Sequence, residues 1–317
     1  MGLMSALLLQ LGQVALVLLL APAVTGLVRK MKARLQRRIG PPVLQPYRDL
    51  RRLIGKDAVL TENASWIFRV APYLIFAATW VAAALVPTFE TGLMFSWSGD
   101  LIAIVALLGL ARFLQAAAAI DTGTSFGGIG ASREVMIASL AEPAMIMVTF
   151  SVALVAGSSQ LSTIAEFMQH SIGLRVSLGM SLVALVIVAL AENARIPVDN
   201  PSTHLELTMV HEAMVLEYSG RHLAMIELAG SLRLLLYISL IGCIFFPVGL
   251  VAAGAGAWAY AGALGAYAVK LVFASLALAT FEMSIAKMRL FRVPSLLEIA
   301  LMLGLLGTLL LFLSEGM

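Results

Sequence analysis

The segment VSLGMSLVALVIVALAENARIPVD, residues 176–199, contains the two features on which the fold depends. Its first sixteen residues carry no Lys, Arg, Asp or Glu, and Glu192, Arg195 and Asp199 follow within eight residues. Such an apolar run predicts a membrane-spanning helix, because about 20 apolar residues cross the hydrocarbon layer. The charges that follow belong to residues 192–217, which contain five carboxylates, one arginine and two histidines. The chain is therefore expected to hold a charged segment at the edge of a membrane.

The composition of the 317 residues indicates the same class of protein. Hydrophobic residues make up 61% of the chain and charged residues 12%, about half the share usual in soluble domains. Uncharged runs also extend over residues 1–28, 143–165 and 234–269. We predict an all-α polytopic membrane protein with eight spans, at about 3–28, 66–87, 100–120, 133–157, 173–192, 222–247, 257–282 and 295–314.

The distribution of basic residues predicts the orientation of these spans. Ten of the 21 Lys and Arg residues lie between Arg29 and Lys56, and cytoplasmic loops are enriched in such residues. We place four loops in the cytoplasm, at about 29–65, 121–132, 193–221 and 283–294, and both termini on the outer side. The basic excess thus reports orientation, and no nucleic-acid partner is expected. Residues 1–317 are expected to form a single integral membrane domain.

Three patterns associated with catalysis or metal binding are incomplete in this sequence. Cys243 is the single cysteine, so it cannot supply the ligands of an iron–sulfur or zinc site. His211-Glu212 lacks the second histidine of a zinc-protease motif, because Val215 stands in its place. The glycines of residues 123–130 follow no strand and form no G-x-G-x-x-G, so they predict a flexible cytoplasmic turn. We expect no catalytic residue, metal site or redox cofactor in this chain.

Two charged residues are predicted to lie inside the membrane. Glu142 follows Glu134 by eight residues on span four, which places it about 12 Å deeper. A carboxylate at that depth is costly unless it is paired, hydrated or protonated, so a functional role is favoured over a structural hydrogen bond near Pro143. Lys270 is alone midway along span seven, where it either extends to the interface or pairs with a carboxylate of another helix.

The charged segment after span five predicts an ion pair and a further helix. Glu192 and Arg195 are three residues apart at the end of the span, a spacing at which helical side chains pair. Asn200 followed by a proline predicts the start of a helix over about 201–218. On that helix the carboxylates and the histidines would lie on opposite faces, Glu206 and Glu217 on one and His204 and His211 on the other.

The first cytoplasmic loop predicts a short amphipathic helix after Pro46. Apolar residues recur there at helical spacing, and basic residues share the other side. Such a helix lies at the membrane interface, where its basic side either binds lipid headgroups or docks a partner.

Three motifs resemble the subunit-1 family of respiratory complex I and its relatives in membrane-bound group 4 NiFe hydrogenases. The most specific is Ala191-Glu192-x-x-Arg195-x-Pro197-x-Asp199, followed by Glu206 and closed by Glu-Tyr-Ser-Gly at residues 217–220. Arg38-x-Gly40-Pro41, and Gly130-Ala131-Ser132-Arg133 with Glu142, are similar to two further family motifs. Together the motifs extend the resemblance over essentially the whole chain.

The resemblance implies a membrane anchor beside a hydrophilic arm, with a chain of buried charges. The residues that match the family's coupling residues are Glu142, Glu192, Arg195, Asp199, Glu206 and Glu217. To this proton-coupling network we add four charged residues in or next to the same spans, Arg133, Glu134, Glu212 and Lys270. Basic residues of the first loop are expected to dock the soluble arm, namely Arg37, Arg38, Arg48, Arg51 and Arg52.

Some positions depart from the complex I pattern. Complex I proteins usually have acidic residues three and five positions after the loop aspartate, where this chain has Ser202 and His204. The run Leu44-Gln45-Pro46-Tyr47-Arg48-Asp49, like residues 217–220, is similar to the hydrogenase-4 and formate hydrogenlyase branch. These departures put a quinone site in doubt.

The resemblance therefore implies a non-catalytic subunit of an oxidoreductase complex in the prokaryotic cytoplasmic (inner) membrane. Such a subunit anchors the complex and links redox chemistry in the soluble arm to charge or proton movement in the membrane. The expected partners are the hydrogenase large and small subunits, iron–sulfur subunits and antiporter-like membrane subunits, with the NiFe centre and iron–sulfur clusters in those chains. The alternatives are the quinone-chamber subunit of complex I and an independent ion transporter.

Overall fold

The computed structural model describes residues 3–61, 64–170, 176–199, 209–286, 288–289 and 292–315. Within these ranges the regular structure is helical, with two isolated β-bridges between outer loops and their neighbours. The α-helices are α1 Leu3–Leu35, α2 Gln45–Ile54, α3 Trp66–Leu85, α4 Leu101–Asp121, α5 Ser125–Ala156, α6 Leu161–His170, α7 Val176–Glu192, α8 His211–Val215, α9 Gly220–Ile244, α10 Ala257–Ser284 and α11 Val293–Glu315.

Eight of these helices coincide with the eight predicted spans. Among the described residues, seven helices are long and apolar enough to cross a membrane: α1, α3, α4, α5, α9, α10 and α11. The eighth, α7, is equally apolar but has 17 residues. The prediction of an all-α polytopic membrane protein is confirmed.

Exposed tryptophans lie near the ends of the spans. Trp66 begins α3 at the end predicted to face the cytoplasm, and Trp97 and Trp258 lie near the opposite end of the bundle. All three are exposed. Tryptophan is enriched at both membrane interfaces, because its ring is apolar and its N–H is polar. The exposed surface of the protein therefore suits a bilayer.

The predicted flexible turn at residues 123–130 is wrong, because α5 already begins at Ser125. The side chain of Thr124 accepts a hydrogen bond from the backbone N–H of Gly127 and so caps the helix. Two glycines allow close packing of this first part of α5. A Cβ at Gly127 would lie 2.4 Å from the carbonyl oxygen of Ala119, and one at Gly130 would lie 3.0 Å from that of Val210. The glycines therefore serve helix packing.

The end of α7 turns the chain sharply. The N–H of Arg195 donates to the carbonyl of Leu190 at 2.9 Å, and the N–H of Ala194 to that of Ala191 at 3.1 Å. This pair of bonds is a Schellman motif, which needs a left-handed residue and usually has glycine there. Ala194 occupies that position with φ 47°. The turn thus ends α7 immediately after Glu192.

The segment after α7 is covered by protein. Val198 and Val210 are buried and pack with Ile137 of α5 and with Val293 and Leu297 of α11. Non-helical backbone at membrane depth is tolerated where protein covers it. Of the helix predicted over about 201–218, the described residues contain a helical part at His211–Val215. Residues 200–208 lie outside the described residues, and with them Ser202, His204 and Glu206.

The Tyr-Ser-Gly sequence before α9 fastens that helix to the first loop. The ring of Tyr218 stacks on Phe68 with centroids 4.1 Å apart, and its hydroxyl donates to the Phe68 carbonyl at 3.2 Å. Ser219 Oγ accepts from the N–H of Val59 and donates to its carbonyl. Gly220 has φ 52°, and a Cβ there would lie 2.6 Å from the carbonyl oxygen of Asp57. These three residues have a structural role.

Candidate functional site: a buried arginine–carboxylate cluster

A single guanidinium group joins three helices inside the bundle. Arg112 of α4 is 3% exposed. Its Nε lies 3.1 Å from Oε1 of Glu134 on α5, and its Nη2 contacts Oε1 of Glu192, the last residue of α7. Arg112 therefore pairs with two carboxylates from two different elements.

The end of α7 lies at the same depth as Arg112. Arg112 precedes the end of α4 by nine residues, which is about 13 Å along the helix axis. Glu134 lies nine residues after the start of α5, at a matching depth. Since α7 ends at Glu192, the end of that helix lies at this depth too, and the following segment starts inside the bundle.

Two more charged groups complete what we call the Arg112 cluster: Arg112, Glu134, Glu142, Glu192 and Arg233. Arg233 of α9 is 5% exposed and donates to the backbone carbonyl of Glu192 at 3.3 Å. Glu142 interacts electrostatically with Arg112 and lies against Gly109, where a Cβ would be 3.7 Å from its Oε1. The absence of a side chain at Gly109 leaves room for the carboxylate next to α4.

The formal charges of the Arg112 cluster do not cancel. Among the described residues, two arginines face three carboxylates, so the carboxylates outnumber the arginines when all are ionised. An uncompensated charge at this depth is expensive. Arg112 contacts one oxygen of each carboxylate through a different nitrogen, so neither pair is the bidentate arrangement in which two parallel N–H groups bind one carboxylate.

A polar chain begins one helical turn from Arg112 and leads to the loop after α7. Gln115, one turn along α4 from Arg112, has Nε2 at 3.1 Å from Nδ1 of His211. The backbone N–H of His211 donates to Oδ2 of Asp199 at 3.4 Å, and Asp199 is 3% exposed. Burial lowers the pKa of His211 to about 4, Arg233 adds to the effect, and Asp199 opposes it. His211 is therefore neutral at physiological pH.

The predicted pair of Glu192 with Arg195 is wrong. Arg195 lies beyond the Schellman turn, and its Nη1 is 3.4 Å from Oε1 of Glu282 on α10. Glu192 instead faces Arg112. The i,i+3 spacing pairs side chains only on a continuous helix, and α7 ends between these two residues.

The remaining predicted network residues have varied surroundings. Arg133 Nη1 donates to the carbonyl of Met209 at 2.6 Å and so anchors the loop before α8. Glu212 is half-buried in α8, and Glu217 is half-buried just before α9. Their coupling roles stay predictions.

Lys270 lies apart from the Arg112 cluster. Its Nζ donates to the carbonyl of Gly242 at 3.4 Å, in the last turn of α9, where helix carbonyls lack intrahelical donors. The carboxylate partner expected for Lys270 is not found among the described residues. A helix end attracts a cation electrostatically, and this explains the position of the ammonium group.

The basic residues expected to dock a soluble partner are exposed. They lie at the end of α1 and on α2: Arg37, Arg38, Arg48, Arg51 and Arg52. The opposite side of α2 faces the bundle, with Pro46 buried and the Tyr47 hydroxyl bonded to the Leu19 carbonyl of α1. The amphipathic helix is thus fixed to the bundle with its positive side outward.

The residue at the centre of the site, Arg112, is not among the residues predicted from the sequence. Arg112 is the one basic residue within the predicted span 100–120 and lies near its middle, which is the same signal that selected Lys270. The rule that flags intramembrane charges identifies it directly. Gln115 and Glu282 were also missed, and their roles depend on contacts that no sequence pattern reveals.

The described residues contain no group of three or more His, Cys, Asp or Glu that could hold a metal ion. Cys243 is buried. The donor set of these residues therefore does not fit a metal or iron–sulfur cluster.

Eight apolar helices around a buried arginine–carboxylate cluster define a polytopic membrane protein with ionisable groups inside the bilayer. Residues 8–313 match the profile of the family described as NADH dehydrogenase, and the chain belongs to this family, the complex I subunit 1 type. The predicted family is thereby confirmed.

Two relatives from Escherichia coli (strain K12) are similar over most of their length. Formate hydrogenlyase subunit 4 is 34% identical over 85% of this chain and 87% of its own. Hydrogenase-4 component C is 33% identical over 75% of both chains. NADH-ubiquinone oxidoreductase chain 1 of Triticum aestivum is 30% identical over 68% of both.

A solved structure shares the fold. It belongs to the membrane-bound sulfane sulfur reductase, an archaeal respiratory membrane complex. The TM-score is 0.81, with 20% sequence identity over 96% of this chain and 99% of the other.

Proposed function

We propose that this chain is the membrane anchor and proton-coupling subunit of a group 4 NiFe hydrogenase complex, of the formate hydrogenlyase or hydrogenase-4 type. The observation that carries this proposal is the Arg112 cluster, in which three carboxylates share two arginines inside the bundle. The relatives support the choice of complex, because identity is higher to formate hydrogenlyase subunit 4 and hydrogenase-4 component C than to the plant complex I chain.

The proposed mechanism is a change of pairing within the cluster. A nearby arginine stabilises an ionised carboxylate, and burial stabilises a protonated one. If Arg112 moves from Glu192 towards Glu134 or Glu142, the carboxylate it leaves gains a proton and the one it approaches loses one. Moving one charge across 100 mV requires about 2.3 kcal/mol, which is within reach of such pairing changes.

The loop after α7 would transmit the redox state of the soluble arm to the cluster. Its residue His211 contacts Gln115, which lies one turn along α4 from Arg112, and Arg133 anchors the loop before α8. The NiFe centre and iron–sulfur clusters of partner subunits would supply the electron chemistry. The large and small hydrogenase subunits, iron–sulfur subunits and antiporter-like subunits are the proposed partners in a prokaryotic inner membrane. The basic side of α2 suits an acidic surface on the soluble arm.

The test is proton translocation by the assembled complex in inverted membrane vesicles. We expect Glu142→Gln, and likewise Glu206→Gln, to leave assembly intact and to reduce the protons moved per hydrogen formed by about tenfold or more. Glu166→Gln on the exposed face of α6 is the matched control and should behave like the unmodified protein. Full translocation by both single variants would count decisively against the proposal.

A second candidate, the quinone-chamber subunit of complex I, is favoured by the family profile and by the 30% identity to the plant chain. The cofactors of the purified complex separate the two. Nickel supports the hydrogenase assignment, whereas flavin with bound quinone supports complex I. Ion transport by the isolated chain in liposomes would contradict both and identify an independent transporter.

A further inference from the structure

A second charge cluster is centred on Glu282. Here one carboxylate lies between two cations, whereas Arg112 lies between two carboxylates. Glu282 lies near the end of α10 and is 3% exposed. Its Oε2 is 2.6 Å from Nζ of Lys32 on α1, and its Oε1 is 3.4 Å from Nη1 of Arg195. One buried carboxylate thus holds two cations, one from a membrane helix and one from the loop after α7.

The negative charge of Glu282 stabilises the cations that surround it. Burial lowers the pKa of Arg195, Glu282 opposes this effect, and the nearby Arg29 reinforces it. Without the carboxylate, Lys32, Arg195 and Arg29 would face one another as three cations. Arg195 would then be drawn to another carboxylate within its reach.

A backbone contact attaches the same loop to the chain beyond α10. The N–H of Met288 donates to the carbonyl of Pro197 at 3.0 Å. Arg195 and Pro197 therefore fix the loop at two points, two residues apart, to the region where α10 ends.

The alternative partner of Arg195 is Glu192. The two would pair if α7 continued by one more turn, since they are three residues apart. The Schellman turn prevents this, although it places the non-glycine Ala194 at φ 47°, in the left-handed region that a side chain disfavours. The ion pair of Arg195 with Glu282 offsets this cost and leaves Glu192 free to face Arg112.

We infer that Glu282 is a positioning residue of the coupling site: by holding Arg195 it keeps Glu192 paired with Arg112. Its effect on activity rests on the proposed function, whereas its effect on the loop does not. The two are therefore measured separately.

The loop is measured by hydrogen–deuterium exchange in the purified complex, on peptides that cover residues 193–199. We expect Glu282→Gln to speed exchange of the Arg195 amide by about tenfold, because the turn loses its anchor. Arg195→Gln breaks the same contact from the loop side and should match it, and the double variant should add nothing further. Lys32→Gln leaves the Arg195 contact in place and should change exchange by less than about twofold.

Activity is measured as the pH profile of proton-coupled turnover in the same variants. Glu282→Gln should shift the pH profile by half a pH unit or more. Adding Ala194→Gly to Glu282→Gln should restore both the pH profile and the protection of the loop from hydrogen exchange, because glycine removes the strain of the turn. Unchanged exchange in Glu282→Gln and Arg195→Gln, or an equal effect of Lys32→Gln, would overturn the inference. If the unmodified complex moves no protons and Glu282→Gln still speeds exchange of the loop, the positioning role is supported and the proposed function is refuted.

Discussion

Arg112 and Lys270 carry the same signal in the sequence and have different surroundings in the structure. Each is a single basic residue midway along an apolar helix. Arg112 is almost fully buried between two carboxylates, whereas Lys270 is half-buried and donates to a backbone carbonyl at a helix end. We infer that the partners of an intramembrane charge indicate its role: a carboxylate can gain or lose a proton, whereas a backbone carbonyl cannot.

Replacing Arg112 should destabilise the protein far more than replacing Lys270. Arg112→Met leaves Glu134, Glu142 and Glu192 with Arg233 alone, and breaking a buried ion pair on one side costs about 3–5 kcal/mol. Lys270→Met removes one hydrogen bond, which contributes about 1 kcal/mol. Thermal unfolding of the detergent-solubilised protein compares the two. Equal losses of stability would contradict the distinction between the two sites.

The loop beside the Arg112 cluster should depend on pH in its stability, because it contains His211, whose pKa is lowered by burial. Unfolded His211 binds a proton below about pH 6.5. In the folded loop its pKa is about 4, so folding excludes that proton between these two values. The loop should therefore lose stability as the pH falls from 6.5 towards 4, by up to about 1.4 kcal/mol per pH unit.

Exchange protection of residues 211–215, corrected for the intrinsic pH dependence of exchange, measures this effect. His211→Gln should abolish the pH dependence, because glutamine does not titrate. Protection that increases on acidification would show that His211 is charged in the folded loop.

Each of the two sites has a glycine beside its charged side chain, and replacing each glycine with alanine compares the sites with a smaller change. A methyl group at Gly109 would lie 3.7 Å from Oε1 of Glu142, and one at Gly242 would lie 3.7 Å from Cδ of Lys270. Gly109→Ala should change the pH profile of coupled activity, because the added methyl group would lie beside a carboxylate that carries the proton in the proposed function. Gly242→Ala adds a methyl group beside a methylene group and should leave the profile unchanged. A shift in both variants, or in Gly242→Ala alone, would remove the distinction.

The spans could be predicted from the sequence because they depend on local composition. Runs such as 176–191 are apolar over a membrane thickness, whatever the rest of the chain does. The family motif around Glu192 could also be recognised in the sequence, and the structure places Glu192 in the Arg112 cluster.

The partners of the charges could not be predicted, because they depend on where helices end. The pairing of Glu192 with Arg195 failed since a non-glycine residue, Ala194, adopts the left-handed conformation that ends α7. Arg112 was visible as the one basic residue of its span, but its two carboxylates come from residues 22 and 80 positions further along the chain. Only the packing of α4, α5 and α7 brings them together.

The central claim is that the carboxylates of the Arg112 cluster move protons, and a comparison of two buried glutamates tests it most directly. Glu192 belongs to the cluster, whereas Glu90, 1% exposed in the loop between α3 and α4, does not. The measurement is the number of protons moved per hydrogen formed, in inverted vesicles that contain the assembled complex. The account predicts a loss of about tenfold or more for Glu192→Gln and no change for Glu90→Gln. Normal translocation by Glu192→Gln, in a complex that still assembles and forms hydrogen, would contradict it.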